Sequence, residues 1–279
     1  MRVLQISDTH LSAASPEPRA SWAQWNWEHM AALIGAERPD LVVHTGDIVL
    51  ADPDATADHL HARAAMRRVG VPIRFVPGNH DVGDHVVRAG LPPEWRSKPV
   101  TAARCAHYRG IWGPDHWALE RGGWLLVGLN SMIIGSGLDG ESDQLRWLTE
   151  TLAAWDGDVA VFTHEPLRLR DVARSAESWA LPPQSARESL LARLTRSRVR
   201  VLASGHVHRY TRFDSGPRCF VTAPSTAYAI PPRAGMRHPP GDAAVGFVEY
   251  TFTSGFTVRP RRLLTDIGAG PSELPSALA

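Results

Sequence analysis

Cysteine is nearly absent from the chain. Cys105 and Cys219 are the only two in 279 residues. A single disulfide is compatible with that count, but two isolated thiols are expected, and they exclude a cysteine-based zinc knuckle. Long apolar runs are absent too. No stretch of 18 apolar residues exists, so no membrane-spanning helix is expected. No apolar segment with a cleavage site precedes the strand-like start Met1-Arg2-Val3-Leu4-Gln5-Ile6, so no secretory signal is read and a cytoplasmic location is the default expectation. An excess of one charge is also missing. Lys and Arg number 30 against 29 Asp and Glu, a net charge of +1, which argues against a polyanion-coating protein and against long nucleic acid as partner. There is no internal repeat. Low complexity is confined to the Gly-, Ala-, Pro- and Ser-rich stretch 266–279, read as a flexible tail behind one folded unit of residues 1–265.

What remains is an ordinary globular composition, 43% hydrophobic and 21% charged, with a surplus of histidine at 13 residues. Short Val- and Ile-rich runs read as buried strands: Val3 to Ile6, Leu41 to Val43, Ile73 to Val76, Val159 to Phe162 and Val199 to Ala203. Helical spacing separates them, over Trp22 to Ile34, Thr56 to Val69, Ser142 to Trp155 with Ser142 as N-cap, and Ser185 to Arg196. The alternation predicts an α/β fold. Asp84 to Trp124 reads as a loop-rich excursion near the site with a little local structure. Cys219 to Val258 reads as further strands, interrupted by Pro231 to Gly241.

Each apolar run ends in polar residues of one chemical kind: Asp8 and His10, Asp47, Asn79 with His80 and Asp81, His164, then His206 and His208. Ligands in open α/β sheets gather outside the carboxyl ends of the strands. Five strands in one sheet region would bring these groups together, with Asp8 and His10 pointing the same way along an extended segment and His206 and His208 repeating that spacing. The set offers oxygen and nitrogen donors and no thiolate, which suits Mn, Fe, Co or Zn. Gly46, Gly78 and Gly205 each precede a candidate ligand, where a missing side chain permits a sharp turn or a close approach. A Gly-Asp pair or a lone histidine is weak evidence; five such blocks at five strand ends are not.

In order, the blocks are Asp8-Thr9-His10, Gly46-Asp47, Gly78-Asn79-His80-Asp81, His164 and Gly205-His206-Val207-His208. In these the chain resembles the calcineurin-like metallophosphoesterases, nearest the bacterial class III cyclic-nucleotide phosphodiesterase and glycerophosphodiesterase branch. The resemblance spans about residues 1 to 260. It implies a four-layer αββα sandwich of two mixed sheets flanked by helices, and two divalent ions. One ion would be held by Asp8, His10 and His208, the other by Asn79, His164 and His206, with Asp47 bridging. His80 would face the substrate phosphate and serve as acid. Asp81 would either orient His80 or cap a turn. The implied function is hydrolysis of a small phosphodiester, a cyclic nucleotide or glycerophosphodiester, by a hydroxide bridging the ions. A phosphomonoesterase or nuclease on the same site is the alternative. A non-catalytic scaffold is disfavoured by the complete ligand set. Some relatives carry a second histidine after the lone one, where this chain has Glu165-Pro166.

The remaining histidines His44, His85, His107, His116 and His238 are read as non-ligands, with His44 and His107 the first to reconsider. Trp22, Trp25 and Trp27 are read mainly as core, with a wall over the metals as the other use. Arg193, Arg196, Arg198 and Arg200 read as a solvated face. Tyr228 and the loop Pro231–Gly241 are placed to border substrate. Oligomeric state is open, a homo-oligomer included.

Overall fold

The computed structural model describes residues 1–50, 52–85, 98–170, 180–230 and 241–263. The expected tail 266–279, His238, Trp95 and nearly all of the 231–241 loop lie outside them. Two mixed sheets form the centre. The first has the order β11 (Phe256–Arg262), β10 (Gly246–Phe252), β1 (Arg2–Ile6), β2 (Leu41–His44), β3 (Ile73–Phe75). The second has the order β4 (Trp117–Arg121), β5 (Trp124–Gly128), β6 (Asp158–Phe162), β7 (Val199–Ser204), β9 (Arg218–Thr222), β8 (Thr211–Ser215). β1, β2 and β3 are parallel, as are β5, β6, β7 and β9; the remaining pairings are antiparallel.

Period-2 alternation divides each strand between two apolar layers. Val3, Leu41, Val43, Val248 and Tyr250 face Leu126, Phe162, Val201 and Val221 between the sheets. Leu4, Ile6 and Val42 face outward onto α1 (Pro18–Glu37), α2 (Thr56–Arg67) and α4 (Ala102–Trp112). Val127, Val161 and Leu202 face α5 (Asp139–Ala153) and α6 (Gln184–Thr195) on the other side. The expected αββα sandwich is therefore present. Strands covered on both faces lose their polar alternation, which is why they read as continuous apolar runs. No helix among the described residues is long and apolar enough to cross a membrane, and both cysteines are free and buried.

Helix α1 runs past the expected Trp22 to Ile34 at both ends, from Pro18 to Glu37, and two further elements depart from expectation. Helix α5 starts at Asp139 with Leu138 as N-cap, not at Ser142. Asp139 and Glu141 favour the positive helix N-terminus, and the Glu141 carboxylate accepts from Gly135 N and Gly137 N, which winds the extra turn. Of the stretch 84–124, the described part from residue 98 onward is more regular than expected. It contains the 11-residue α4, capped by Thr101, whose side chain accepts from Arg104 N, and stapled through Cys105, Tyr108 and Trp112 on one face. The arginine cluster behaves as expected in part, Arg198 and Arg200 both pairing with Asp158 at the surface.

One buried polar network joins the sheets. Gln5 Nε2 donates to Thr45 Oγ1 (3.0 Å) and to Ser204 O (2.9 Å), and Tyr250 Oη donates to Gln5 Oε1 (2.7 Å). Replacing Tyr250 with Phe leaves that carbonyl unpaired in a dry interior, and should cost about 1–3 kcal/mol of unfolding free energy. Urea denaturation of the variant against the parent measures it; an unchanged midpoint would mean the seam does not need this bond.

Candidate metal centre

Both parallel strand sets end at the same edge of the sandwich. The first sheet delivers Asp8 and His10 after β1, Asp47 after β2, and Asn79, His80 and Asp81 after β3, these last in the short helix α3 (Asn79–Val82). The second delivers His164 after β6, and His206 and His208 after β7. The donors thus come from two sheets rather than the single one expected, because the sandwich aligns the carboxyl ends of both.

The side chains are brought together by strained backbone, not by extended segments. Asp8, His10, Asp47, His206 and His208 have φ of 54°, 45°, 54°, 67° and 53°. Left-handed conformations cost non-glycine residues on the order of 1 kcal/mol or more each, and cluster where function demands them. Backbone bonds continue the β1–β2 ladder and hold the strain: Asp8 N to Gly46 O (2.9 Å), His10 N to Asp47 O (3.0 Å) and Leu11 N to Ile48 O (2.8 Å). Ser225 adds a hub, donating to Asp8 O and accepting from Ala227 N and Tyr228 N. The close approach also dictates glycine. A Cβ on Gly205 would lie 1.8 Å from Ser7 Oγ and 2.8 Å from Asp8 Oδ2.

Three groups of candidate donors result: Asp8 with His10 and His208, Asp47 with His164 and His206, and, spanning these two, His10 with Asp47 and His80. Asn79 Oδ1 lies 3.1 Å from His164 Nε2 and so joins the second. The ring tautomers follow from the outer partners. His164 Nδ1 faces Thr45 O at 2.7 Å and His208 Nδ1 faces Tyr228 O at 2.9 Å. Carbonyls only accept, so both Nδ1 atoms carry protons, and in the neutral rings both Nε2 atoms present lone pairs. His164 Nε2 then faces His206 Nδ1 (3.0 Å), Asn79 Oδ1 and Asp47 Oδ1 (3.3 Å). His208 Nε2 faces His10 Nε2 (3.1 Å) and Asp8 Oδ1 (3.5 Å), and that carboxylate oxygen has no hydrogen-bond partner among the described residues. Donor atoms about 2.1 Å from one ion sit about 3.0–3.4 Å apart. The spacing therefore fits a cation in each of the first two groups.

The sequence profile of the calcineurin-like phosphoesterases matches residues 1–210. The chain belongs to that family. The chain is 29% identical over 245 residues to the 3′,5′-cyclic adenosine monophosphate phosphodiesterase CpdA of Escherichia coli (strain K12), covering 83% of this chain and 78% of the relative. It is 28% identical to a probable glycerophosphodiester phosphodiesterase GpdQ of Arcobacter nitrofigilis, covering 82% and 80%. Its fold is shared by a dimetal phosphatase from Danio rerio, with a TM-score of 0.65 at 14% identity over 95% of this chain and 97% of the other.

His80 is the exposed one, its side chain 30% accessible where Asp47 is 3%, with Nε2 3.9 Å from Asp47 Oδ2 and its ring edge-on to His10. Asp81 does not touch His80. Its Oδ1 accepts from Ile48 N (2.9 Å) and Val49 N (3.1 Å), and its Oδ2 from Gly78 N (2.8 Å). Of the two expected roles, the structure supports capping: Asp81 ties the Asp47 loop to the Asn79 turn. Both ring nitrogens of His44 are engaged with Thr9 and Gly46. His85 pairs with Glu165, His116 with Asp115, and His107 lies on α4 beside His59, so none of them joins the donor groups. Trp22 and Trp27 are core as read, and Trp22 packs in one cluster with Tyr228, whose ring stacks on His10. Gln5, Ser225 and the His85–Glu165 pair escaped the sequence reading.

Charge in the centre is set by burial against proximity. Burial pushes the Asp8 carboxyl up, but the imidazoles of His208 and His164 outweigh it and hold it at about 2. Asp81 rises to about 7 through burial and the neighbouring Asp47 charge. Burial lowers His164, yet Asp47 beside it, with Asp8 and the Thr45 carbonyl, raises it to about 10. In the metal-free protein an imidazolium thus neutralises Asp47. A histidine raised from 6.5 to about 10 contributes stability that is complete below pH 6.5 and lost as pH climbs through 10. The melting temperature of the chelated protein should therefore fall between pH 7 and 9. Saturating Mn²⁺ should flatten that slope, because a coordinated imidazole has already released its proton. Parallel slopes with and without Mn²⁺ would contradict this.

Proposed function

We propose that the chain hydrolyses a small phosphodiester with two divalent cations, one held by Asp8, His10 and His208, the other by Asn79, His164 and His206. The observation that carries the reading is the placement of Asp47. Its Oδ1 lies 3.3 Å from His164 Nε2 in one group, and its Oδ2 3.9 Å from His10 Nε2 in the other. A single buried carboxylate therefore reaches both. When bound, the cations supply Lewis acidity, lowering the pKa of a coordinated water toward about 7 and neutralising charge on the phosphoryl oxygens. Mn, Fe, Zn and Co all suit the donor set, and availability selects among them.

The protein's own groups supply the rest. His80 stands at the accessible side of the centre, and its backbone N–H donates to Asp47 Oδ1 at 2.9 Å, which fixes it against the bridging carboxylate. It acts as general acid toward the departing alkoxide, or as a positive neighbour to the phosphate when protonated. The Tyr228 ring, 5.2 Å from His10 and 5.3 Å from His208, closes one side and excludes water there. The relatives named for cyclic nucleotide and glycerophosphodiester hydrolysis support a small diester as substrate.

Purified protein with Mn²⁺, and with EDTA as control, should be compared on bis-p-nitrophenyl phosphate, p-nitrophenyl phosphate, cyclic nucleotides and a glycerophosphodiester. A higher kcat/KM on diesters is expected; monoester preference would make the chain a phosphomonoesterase, and no turnover of any ester would remove the enzymatic reading. Asp47→Asn should lower metal content and reduce turnover by more than the 10–100-fold typical of losing an outer partner. His80→Ala should keep its metals and slow poor leaving groups by about 10²–10⁴-fold, good ones less. Equal slowing of both would remove its role as acid.

A further inference from the structure

We infer that His44 is a positioning residue for both cation sites, acting through Thr9; this rests on the dinuclear reading above. His44 is the last residue of β2 and is fully buried. It shares its strand face with Val42, and its ring lies 5.9 Å from that of Phe75, so it points toward the helical layer beneath the metal centre.

Its hydrogen bonds admit one assignment. Gly46 N donates to His44 Nδ1 at 3.2 Å, so Nδ1 carries the lone pair and the neutral ring is protonated at Nε2. Nε2 then donates to Thr9 Oγ1 at 2.8 Å, and the Thr9 hydroxyl in turn donates to Ile48 O at 3.2 Å. Both ring nitrogens are used, which excludes His44 as a ligand. The path closes on itself: from the 46–48 loop through His44 to Thr9 and back to Ile48. Thr9 stands between left-handed Asp8 and His10, and Gly46 precedes left-handed Asp47. The side chain thus fastens to one another the two loops whose strained conformations aim a ligand pair and the bridging carboxylate. Outer partners that orient metal ligands in this way control affinity.

The test uses His44→Ala, His44→Gln, Thr9→Val and Thr9→Ser. Mn²⁺ affinity is read by calorimetry on protein shown to be folded by circular dichroism, and kcat and KM are read on bis-p-nitrophenyl phosphate. His44→Ala and Thr9→Val should each weaken Mn²⁺ binding about 10–100-fold and lower kcat more than they raise KM. His44→Gln keeps a donor for Thr9, and Thr9→Ser keeps the hydroxyl, so both should recover most of the loss. The double variant His44→Ala/Thr9→Val should be no worse than the single ones, because the two residues serve one link. Nitrogen NMR should place the imidazole proton on Nε2. Should His44→Ala not fold, the Thr9 pair still decides. Folded variants with parental Mn²⁺ affinity, additive losses, or a proton on Nδ1 would overturn the inference. A parent protein that binds no Mn²⁺ would instead defeat the dinuclear reading on which it stands.

Discussion

The structure is organised around a carboxylate nearly closed off from bulk water. Asp47 is 2% accessible, and an isolated charge in such a place would cost several kcal/mol. It is tolerable only because positive charge is packed round it. Without metal that charge is the His164 imidazolium, and His10, His80 and His206 stand close by. The same crowding makes protons and cations competitors for one small volume. Asp8 repeats the pattern on the other side, a fully buried acid kept ionised by His208 and His164. Folding a chain into this shape is reasonable only if the enclosed negative charge is met.

The second cost is conformational. Of the non-glycine residues described with positive φ, all but Arg38 belong to the candidate ligand set. Local strain survives only where the surroundings over-determine it, and each strained residue here is held from more than one direction. Asp8 is fixed by Gly46 O through its amide, by Ser225 and Ala227 through its carbonyl, and by His206 N through Oδ2. Asp81 grips the amides of Ile48 and Val49 just beyond Asp47, and that of Gly78 before Asn79. Most of these partners are not candidate ligands. They form the scaffold that turns a set of strand ends into a rigid cage.

This division explains what could be read from sequence. Strand ends and ligands were legible because chemistry repeated at them: an apolar run, a glycine, then Asp or His. Asp8, His10, Asp47, Asn79, His164, His206 and His208 converge in the structure as that repetition implied. The conformation that aims them was not legible. An Asp-x-His pair along an extended strand and one built from left-handed residues look the same in one letter code. The partition of strands between two sheets was hidden as well, since runs buried on both faces carry no mark of which neighbour they face. Asp81 could be read two ways. Adjacency to His80 allowed partnership and the turn allowed capping, and only the short helical turn, which sends the two side chains apart, separates them. Helix α4 shows the opposite case. Its Cys105, Tyr108, Trp112 stripe was visible, but the surrounding Pro and Trp residues drew the reading toward loop.

The origin of the ligands in two sheets has a thermodynamic consequence. Asp8, His10, Asp47 and Asn79 belong to one sheet's loops, and His164, His206 and His208 to the other's. Each proposed cation would therefore bridge the sandwich, joining the halves at the edge while the Gln5, Thr45, Ser204 and Tyr250 network joins them beneath. An ion that binds only the assembled pair of sheets stabilises it by RT ln(1 + [L]/Kd), about 2.7 kcal/mol at one hundred times Kd. Metal loading and the integrity of the seam are then two readings of one equilibrium. A change that lets the sheets slip at Gln5 would weaken cation binding without touching a ligand, and a change that removes a ligand would loosen the sheets without touching the core.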